Sequence, residues 1–235
     1  VSIRMNGDGT QQLKRTSDLL DYRAAYTLMG WFRLNDTDDH CLFQLDDTNW
    51  FNTDASVATP GGRYVIFATS GGWQGEQGGT NTPTTGTWYH IALVRESAST
   101  YKLYVDGALE ATFSNDVSGR PAPAEMTVGA QWPSLGRPLD GRVAHLKAWT
   151  TGLTLAEVRA EKPYIAPIKS ASLYAWWPTK AGDSERLLDY SGNGRHWTAV
   201  GALSDEADPG IAWSPVAARR TLSPRVGSRG ALCTS

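Results

Sequence analysis

Residues 86–113 read GTWYHIALVRESASTYKLYVDGALEATF, and this stretch decides the fold. Within Trp88–Arg95 both alternating rows, Trp88/His90/Ala92/Val94 and Tyr89/Ile91/Leu93, are mostly apolar, the pattern of a strand covered on both faces. Tyr101, Leu103 and Val105 alternate with Lys102, Tyr104 and Asp106, which predicts a second strand with one wetter face. Asp106-Gly107 supplies the φ > 0 geometry that a two-residue hairpin needs, and opens a third strand.

Outward from this block, short strand-like runs punctuated by Gly, Asn, Asp and Thr fill residues 1–160. The predicted strands are Ser2–Met5, Gln12–Lys14, Tyr26–Leu34, His40–Leu45, Tyr64–Ala68, Trp88–Arg95, Tyr101–Val105, Ala108–Phe113, Met126–Val128 and Arg142–Thr150. Such spacing predicts a β-sandwich, not βαβ units. Irregular loops are expected at Asp46–Gly62, Thr69–Thr87 and Asn115–Pro123. Thr154-Leu155-Ala156-Glu157 reads as a capping box, so a short helix should start there and stop before Pro163.

The 235 residues suit one large sandwich with ample length to bury a core. A net charge of −2 gives no electrostatic case for nucleic acid. No stretch approaches the roughly 20 apolar residues of a membrane span. VSIRMNGDGTQQL at the start is not a secretory signal, and a Val1 start fits removal of an initiator Met or a processed chain. Cys41 and Cys233 lie near opposite ends and read as two free thiols.

W-x-H-x-A-x-V-R in Trp88–Arg95, followed by L-Y-V-D-G in Leu103–Gly107, resembles the concanavalin A-like jelly roll in its laminin-G-like and pentraxin-like branch. Gly141–Thr154, GRVAHLKAWTTGLT, is similar to that branch's closing strand, G-x-I-D-x-V-R-I-W-x-R-A-L-S. Gly141, Val143, Leu146, Trp149, Leu153 and Thr154 fall in register; Ala144, Ala148, Thr151 and Gly152 depart from it. Tyr26–Leu34 (YTLMGWFRL) resembles the first long strand. The resemblance implies an all-β, concanavalin A-like jelly-roll sandwich of two antiparallel sheets, with one short helix after Thr154.

LLDYSGNGRHWTAVG, residues 187–201, resembles the family's D-x-S-G-N-G segment. That segment usually opens the domain, whereas here it follows the closing strand. Either the domain is circularly permuted or an appended hairpin covers a sandwich edge. This order is similar to that of bacteriophage-encoded members. The expected division is a sandwich at 1–162, strands completing or covering it at 163–213, and an extended basic arm at 214–235.

Glycoside hydrolysis on this fold needs two carboxylates roughly 5–10 Å apart, and the family's enzymes carry an E-x-D-x-x-E-like run. The chain has none. Asp36/Asp38/Asp39, Asp46/Asp47, Asp183/Glu185 and Asp205/Glu206/Asp208 all lie in polar, turn-like stretches, so no catalytic residues and no enzyme are expected. His40, His90, His145 and His196 stand singly, without metal spacing. His90 and His145 fall within predicted strands and read as hydrogen-bonded structural residues. Asp46, Asp47 and Asp54, with Asn49 and Asn52, form the cluster best suited to calcium. The plainer reading, Asx side chains satisfying their own loop, is preferred, so no cofactor is expected. Asp189 and Asn193 read as turn chemistry in the same way.

Of ten tryptophans, Trp31, Trp88, Trp149, Trp176 and Trp177 lie in strand patterns and read as core or sheet-packing residues. Trp50, Trp73 and Trp132 lie in loops with Asn, Gln or Ser neighbours; they suit a glycan platform, a protein interface or plugs for the sandwich ends. Arg219, Arg220, Arg225 and Arg229 stand in a tail without acids and suit carboxylates on a neighbouring subunit. Two functions follow as expectations. The first is a non-catalytic structural or adhesion protein of a bacteriophage particle, a head decoration or a tail or fibre component. It would reside in the virion, homo-oligomerise, assemble with other virion subunits through arm and loops, and contact host glycans. The alternative is a carbohydrate-binding module of a secreted or surface protein, hence extracellular.

Overall fold

The structure, a computed structural model, describes residues 1–46, 55–59, 62–69, 73–97, 99–114, 116, 119, 121–131 and 136–214. For residues 46, 55–58, 65–69 and 73–77 the description is of backbone alone. Two antiparallel sheets stack face to face. One contains β1 (Ser2–Asn6), β3 (Tyr26–Leu34), β8 (Trp88–Ser97), β9 (Thr100–Val105), β10 (Ala108–Ser114), β12 (Asp140–Trp149), β13 (Leu173–Trp177) and β15 (Ser204–Glu206). Its order is β10-β9-β8-β3-β12-β1-β15, with β13 also on β12. The other contains β2 (Gln12–Arg15), β4 (Cys41–Asp46), β5 (Ala55–Ala58), β6 (Val65–Thr69), β7 (Trp73–Gly78), β11 (Glu125–Val128) and β14 (Thr198–Val200), in the order β14-β2-β11-β4-β5-β6-β7. The expected concanavalin A-like jelly-roll sandwich is what the chain builds.

The two apolar rows of β8 are explained by what lies on each side. Ile91 and Leu93 enter the inter-sheet core with Ile3, Leu28, Phe32, Phe43, Leu45, Met126, Val128 and Val143. Phe32 and Phe43 meet edge to face across it, centroids 4.9 Å apart, the arrangement the ring quadrupole favours. Ala92 and Val94 point the other way and pack with Met29, Tyr104, Trp149, Leu153 and Val158. Val158 belongs to α1 (Leu155–Glu161), so the helix roofs the sheet's outer face; burying that one side chain contributes about 1.5–3 kcal/mol. Tyr104, expected on a wetter face, is buried in this second cluster. The capping box at Thr154 and Glu157 is present: each side chain bonds the other residue's backbone amide, at 3.3 and 2.8 Å.

The hairpin at Asp106-Gly107 has φ values of 52° and 78°, and Val105 pairs with Ala108 across it, as a type I′ turn requires. Two expected loops contain strands. β5 lies within Asp46–Gly62 and β7 within Thr69–Thr87; β5 pairs with β4 and β6, and β7 with β6. Cys41 is a buried free thiol, and burial pushes its pKa up to about 12. Cys233 lies outside the described residues.

Residues 163–213 feed both sheets. β13 and β1 share one edge of β12: β1 pairs with Asp140–Val143 and β13 with Leu146–Trp149. The changeover falls at His145, in the left-handed region at φ 53°. Here β12 carries a bulge against β3 between Ala144 and Lys147. Leu146 lies against Gly30, where a Cβ would sit 2.5 Å from Leu146 Cδ2, so a larger residue there would force the leucine side chain to shift. β14 then extends the seven-stranded sheet at β2, and β15 the other sheet at β1. β14 and β15 therefore pair with different sheets and not with each other. Trp177 and Trp197 join the core between them, centroids 4.9 Å apart.

Candidate functional site

Trp50, Trp132, Asp47, Asp54, Arg219, Arg220, Arg225 and Arg229 lie outside the described residues. Trp73 opens β7 and Asp46 closes β4, and of these the backbone alone is described. Trp149 and Trp177 are fully buried, as expected of packing residues. Trp176, read with them from the strand pattern, is not a core residue. Successive strand residues face opposite sides, so Trp177 fills the core while Trp176 stands on the outer face, opposite Lys147 in register.

On that outer face Trp176 meets Tyr190 edge to face at 5.9 Å and Trp213 at 6.4 Å, with interplanar angles of 61° and 77°. Trp213 is 46% exposed yet anchored: Ile165 N donates to Ala212 O and Ala166 N to Trp213 O, each at 2.7 Å. The Lys180 ammonium lies 4.0 Å from the Tyr190 ring centroid and 5.8 Å from that of Trp213, within cation–π range. The Tyr190 hydroxyl donates to the Glu185 carboxylate. Trp176 Nε1 is buried without a hydrogen-bond partner among the described residues, a desolvated donor of the kind that calls for an acceptor.

The D-x-S-G-N-G segment holds this cluster in place. Asp189 accepts from Trp176 N at 3.0 Å, Ser191 N at 2.8 Å, Ser191 Oγ at 2.9 Å and Arg195 N at 3.0 Å. Burial pushes its carboxyl up, but these bonds outweigh burial and leave its pKa below the usual 3.8. Asn193 Nδ2 donates to the carbonyls of Leu173 and Tyr174. Asp189 and Asn193 are the turn residues the sequence predicts, and they fasten the turn to β13. Tyr190 N donates to Trp176 O at 2.7 Å, which brings the two rings together.

At one end of the sandwich a cleft of about 320 Å³ is lined by Asn6, Gly7, Asp36, Asp38, Asp39, His40, Arg137, Pro138 and Asp140. Two of its four acids, Asp39 and Asp140, are ion-paired to arginines, and a third, Asp36, hydrogen-bonds a histidine. Asp36 lies 2.6 Å from His40 Nε2, Asp39 2.7 Å from Arg137 and Asp140 2.8 Å from Arg4. Among the described residues no three His, Cys, Asp or Glu side chains converge as metal ligands would.

Several other buried charged groups are paired within the fold. Lys147 Nζ bonds Glu161 Oε2 at 2.9 Å and the carbonyls of Glu161 and Tyr164. Glu161 Oε1 accepts from the amides of Ile168 and Lys169. Glu125 stands opposite Asp46 in register, but it is buried and ion-paired to Lys14 at 2.6 Å. His145 Nδ1 lies 2.8 Å from Pro178 O, and burial lowers its pKa to about 4. His145 Nε2 is 3.7 Å from Asp208 and has no hydrogen-bond partner among the described residues. Thr179 Oγ1 lies 2.7 Å from Val1 O and 2.8 Å from Pro178 O, carbonyls that accept its proton, and 3.5 Å from His145 Nδ1. His90, expected to be hydrogen-bonded, has a buried Nδ1 without a partner among the described residues and packs edge-on to Trp31. Burial lowers its pKa to about 3.

The profile of the concanavalin A-like lectin/glucanases superfamily matches residues 6–159. The chain belongs to that superfamily. No curated protein sequence matches it. Among solved structures, this concanavalin A-like chain is similar to a heptameric SAP-like pentraxin from Limulus polyphemus, at TM-score 0.55 and 16% identity over 67% of this chain and 79% of the other. It is also similar to a proposed carbohydrate binding protein from Bacteroides ovatus, at TM-score 0.60 and 14% identity over 91% of this chain and 62% of the other. Mouse laminin alpha1 domains LG4-5 align at TM-score 0.51 and 16% identity, over 66% of this chain and 42% of the other. At these identities the likeness is one of fold. The cluster of Trp176, Lys180, Tyr190 and Trp213 lies beyond residue 159, where the superfamily match ends.

Proposed function

We propose that this chain binds carbohydrate without transforming it, and that the platform is the ring set of Trp213, Trp176 and Tyr190. The exposed yet backbone-anchored Trp213 carries this reading. A sugar ring needs an apolar face to stack on and polar groups at its rim, and a ring already fixed in place loses little entropy on binding. Lys180, Glu185 and the Tyr190 hydroxyl supply the rim. Similarity to the Bacteroides ovatus protein, itself a proposed carbohydrate binding protein, supports the same reading. The test is oligosaccharide binding by the isolated chain. Wild type should bind at least one oligosaccharide, and Trp213→Ala should weaken that binding tenfold or more, about 1.4 kcal/mol. Undiminished binding by the variant would remove this platform.

A second reading, that the chain is a non-catalytic subunit of a bacteriophage particle, is supported by two features of the sequence. One is the D-x-S-G-N-G segment placed behind the closing strand. The other is the tail with Arg219, Arg220, Arg225 and Arg229 and no acid, suited to carboxylates of a neighbouring subunit. It predicts homo-oligomers or assembly onto particles, lost when the chain is cut after Trp213. A truncated chain that assembles as the full one does would refute it.

A further inference from the structure

We infer that the Trp213 platform selects acidic sugars, those bearing a carboxylate or sulfate, and that Lys180 is the residue that selects them. This rests on the carbohydrate-binding reading above and narrows it to a ligand class. The chain has six lysines. Five of them sit on a carboxylate: Lys14 on Glu125, Lys102 on Glu96, Lys147 on Glu161, Lys162 on Asp106 and Lys169 on Glu157, all at 2.6–3.0 Å. Lys180 is the exception. Its ammonium is held over the faces of Tyr190 and Trp213, with no ion pair among the described residues.

Glu185 accepts the Tyr190 hydroxyl and forms no ion pair with Lys180 among the described residues. A cation held over aromatic faces keeps most of its charge available to a third party, because a ring quadrupole attracts without neutralising. The ammonium is also fixed in position beside an exposed indole. A ligand that stacks on Trp213 therefore brings its substituents next to a positive charge. A carboxylate or sulfate there gains an ion pair as well as a hydrogen bond from the ammonium, whereas a hydroxyl gains the hydrogen bond alone.

The test uses the full chain and four probes: lactose, cellotetraose, hyaluronan tetrasaccharide and chondroitin sulfate tetrasaccharide. Calorimetry at low and high salt should show the two acidic probes binding at least tenfold tighter than the neutral ones, with the advantage shrinking as salt rises. Lys180→Gln should bring the acidic probes down to the affinity of the neutral ones, so that the ratio between them falls to about one, Lys180→Arg should retain the ratio, and Trp213→Ala should weaken all four. Equal affinity for acidic and neutral probes, or a preference that survives Lys180→Gln, would overturn the inference and leave carbohydrate binding standing. Failure to bind any of the four overturns the inference; failure to bind any oligosaccharide in a wider panel removes the reading beneath it as well.

Discussion

The Asp189 carboxylate accepts the backbone amide of Trp176 at 3.0 Å, so one side chain ties the D-x-S-G-N-G turn to the strand that carries the exposed aromatic cluster. Bonds from Ser191 and Arg195 share the same carboxylate. Hydrogen bonds to a buried charge stabilise by more than neutral ones. Asp189→Ala should therefore cost about 2–4 kcal/mol in urea unfolding, and it should weaken any ligand that stacks on Trp213. An unchanged unfolding midpoint would show that the turn holds without its carboxylate.

Acid should unfold the protein through its buried histidines. His145 is depressed by burial from 6.5 to about 4, against smaller opposing effects from Pro178 O and Asp208; Lys147 and the Val1 amine reinforce the depression. The unfolded chain takes up this proton first. Stability is therefore full above pH 6.5 and falls as pH drops toward about 4, at about 1.4 kcal/mol per pH unit in the middle of that window. Replacing His145 with Gln should flatten the fall in Tm across that range. A slope identical to wild type would place the acid sensitivity elsewhere, His90 being the next residue to examine.

Lys147 and Glu161 are buried together between β12 and the end of α1. Burial depresses the lysine's pKa, though its partner opposes this. Removing one charge strands the other, so Lys147→Met should destabilise by about 3–5 kcal/mol. Adding Glu161→Gln to that variant should recover part of the loss. A double-mutant cycle in urea reads the coupling directly, and additive single effects would mean that the two charges do not support each other.

Gly30 faces the β12 bulge with no room for a Cβ beside Leu146. Gly30→Ala should cost about 1–3 kcal/mol by overpacking. Leu146→Val in the same chain should return part of that, because the two atoms that collide belong to residues 30 and 146. Thermal unfolding of the three variants would decide it, and a Gly30→Ala protein as stable as wild type would contradict the close approach.

The hairpin at Asp106-Gly107, the doubly covered strand β8, the capping box at Thr154 and the turn around Asp189 were all legible, since each depends on residues near one another in the chain. β5 and β7 were not. ASVA and WQGEQG carry no sustained alternation, and they are strands because neighbouring strands pair with them, β4 and β6 with the first and β6 with the second. Tyr104 gave the same lesson: its row looked wet until α1 folded over it.

Sequence alone determined the class of fold, because alternation along a strand reports which faces are covered, and turn residues report where the chain reverses. It did not distinguish Trp176 from Trp177. One tryptophan faces the core and the next faces outward, and which does which depends on the sheet that β13 joins and the register it takes on β12. The association of Trp176 with Lys180, Tyr190 and Trp213 was likewise decided only in three dimensions, by hydrogen bonds from the segments at 164–166 and 189–195. Contacts between distant segments leave no periodic trace in a chain, and the candidate binding surface is made of such contacts.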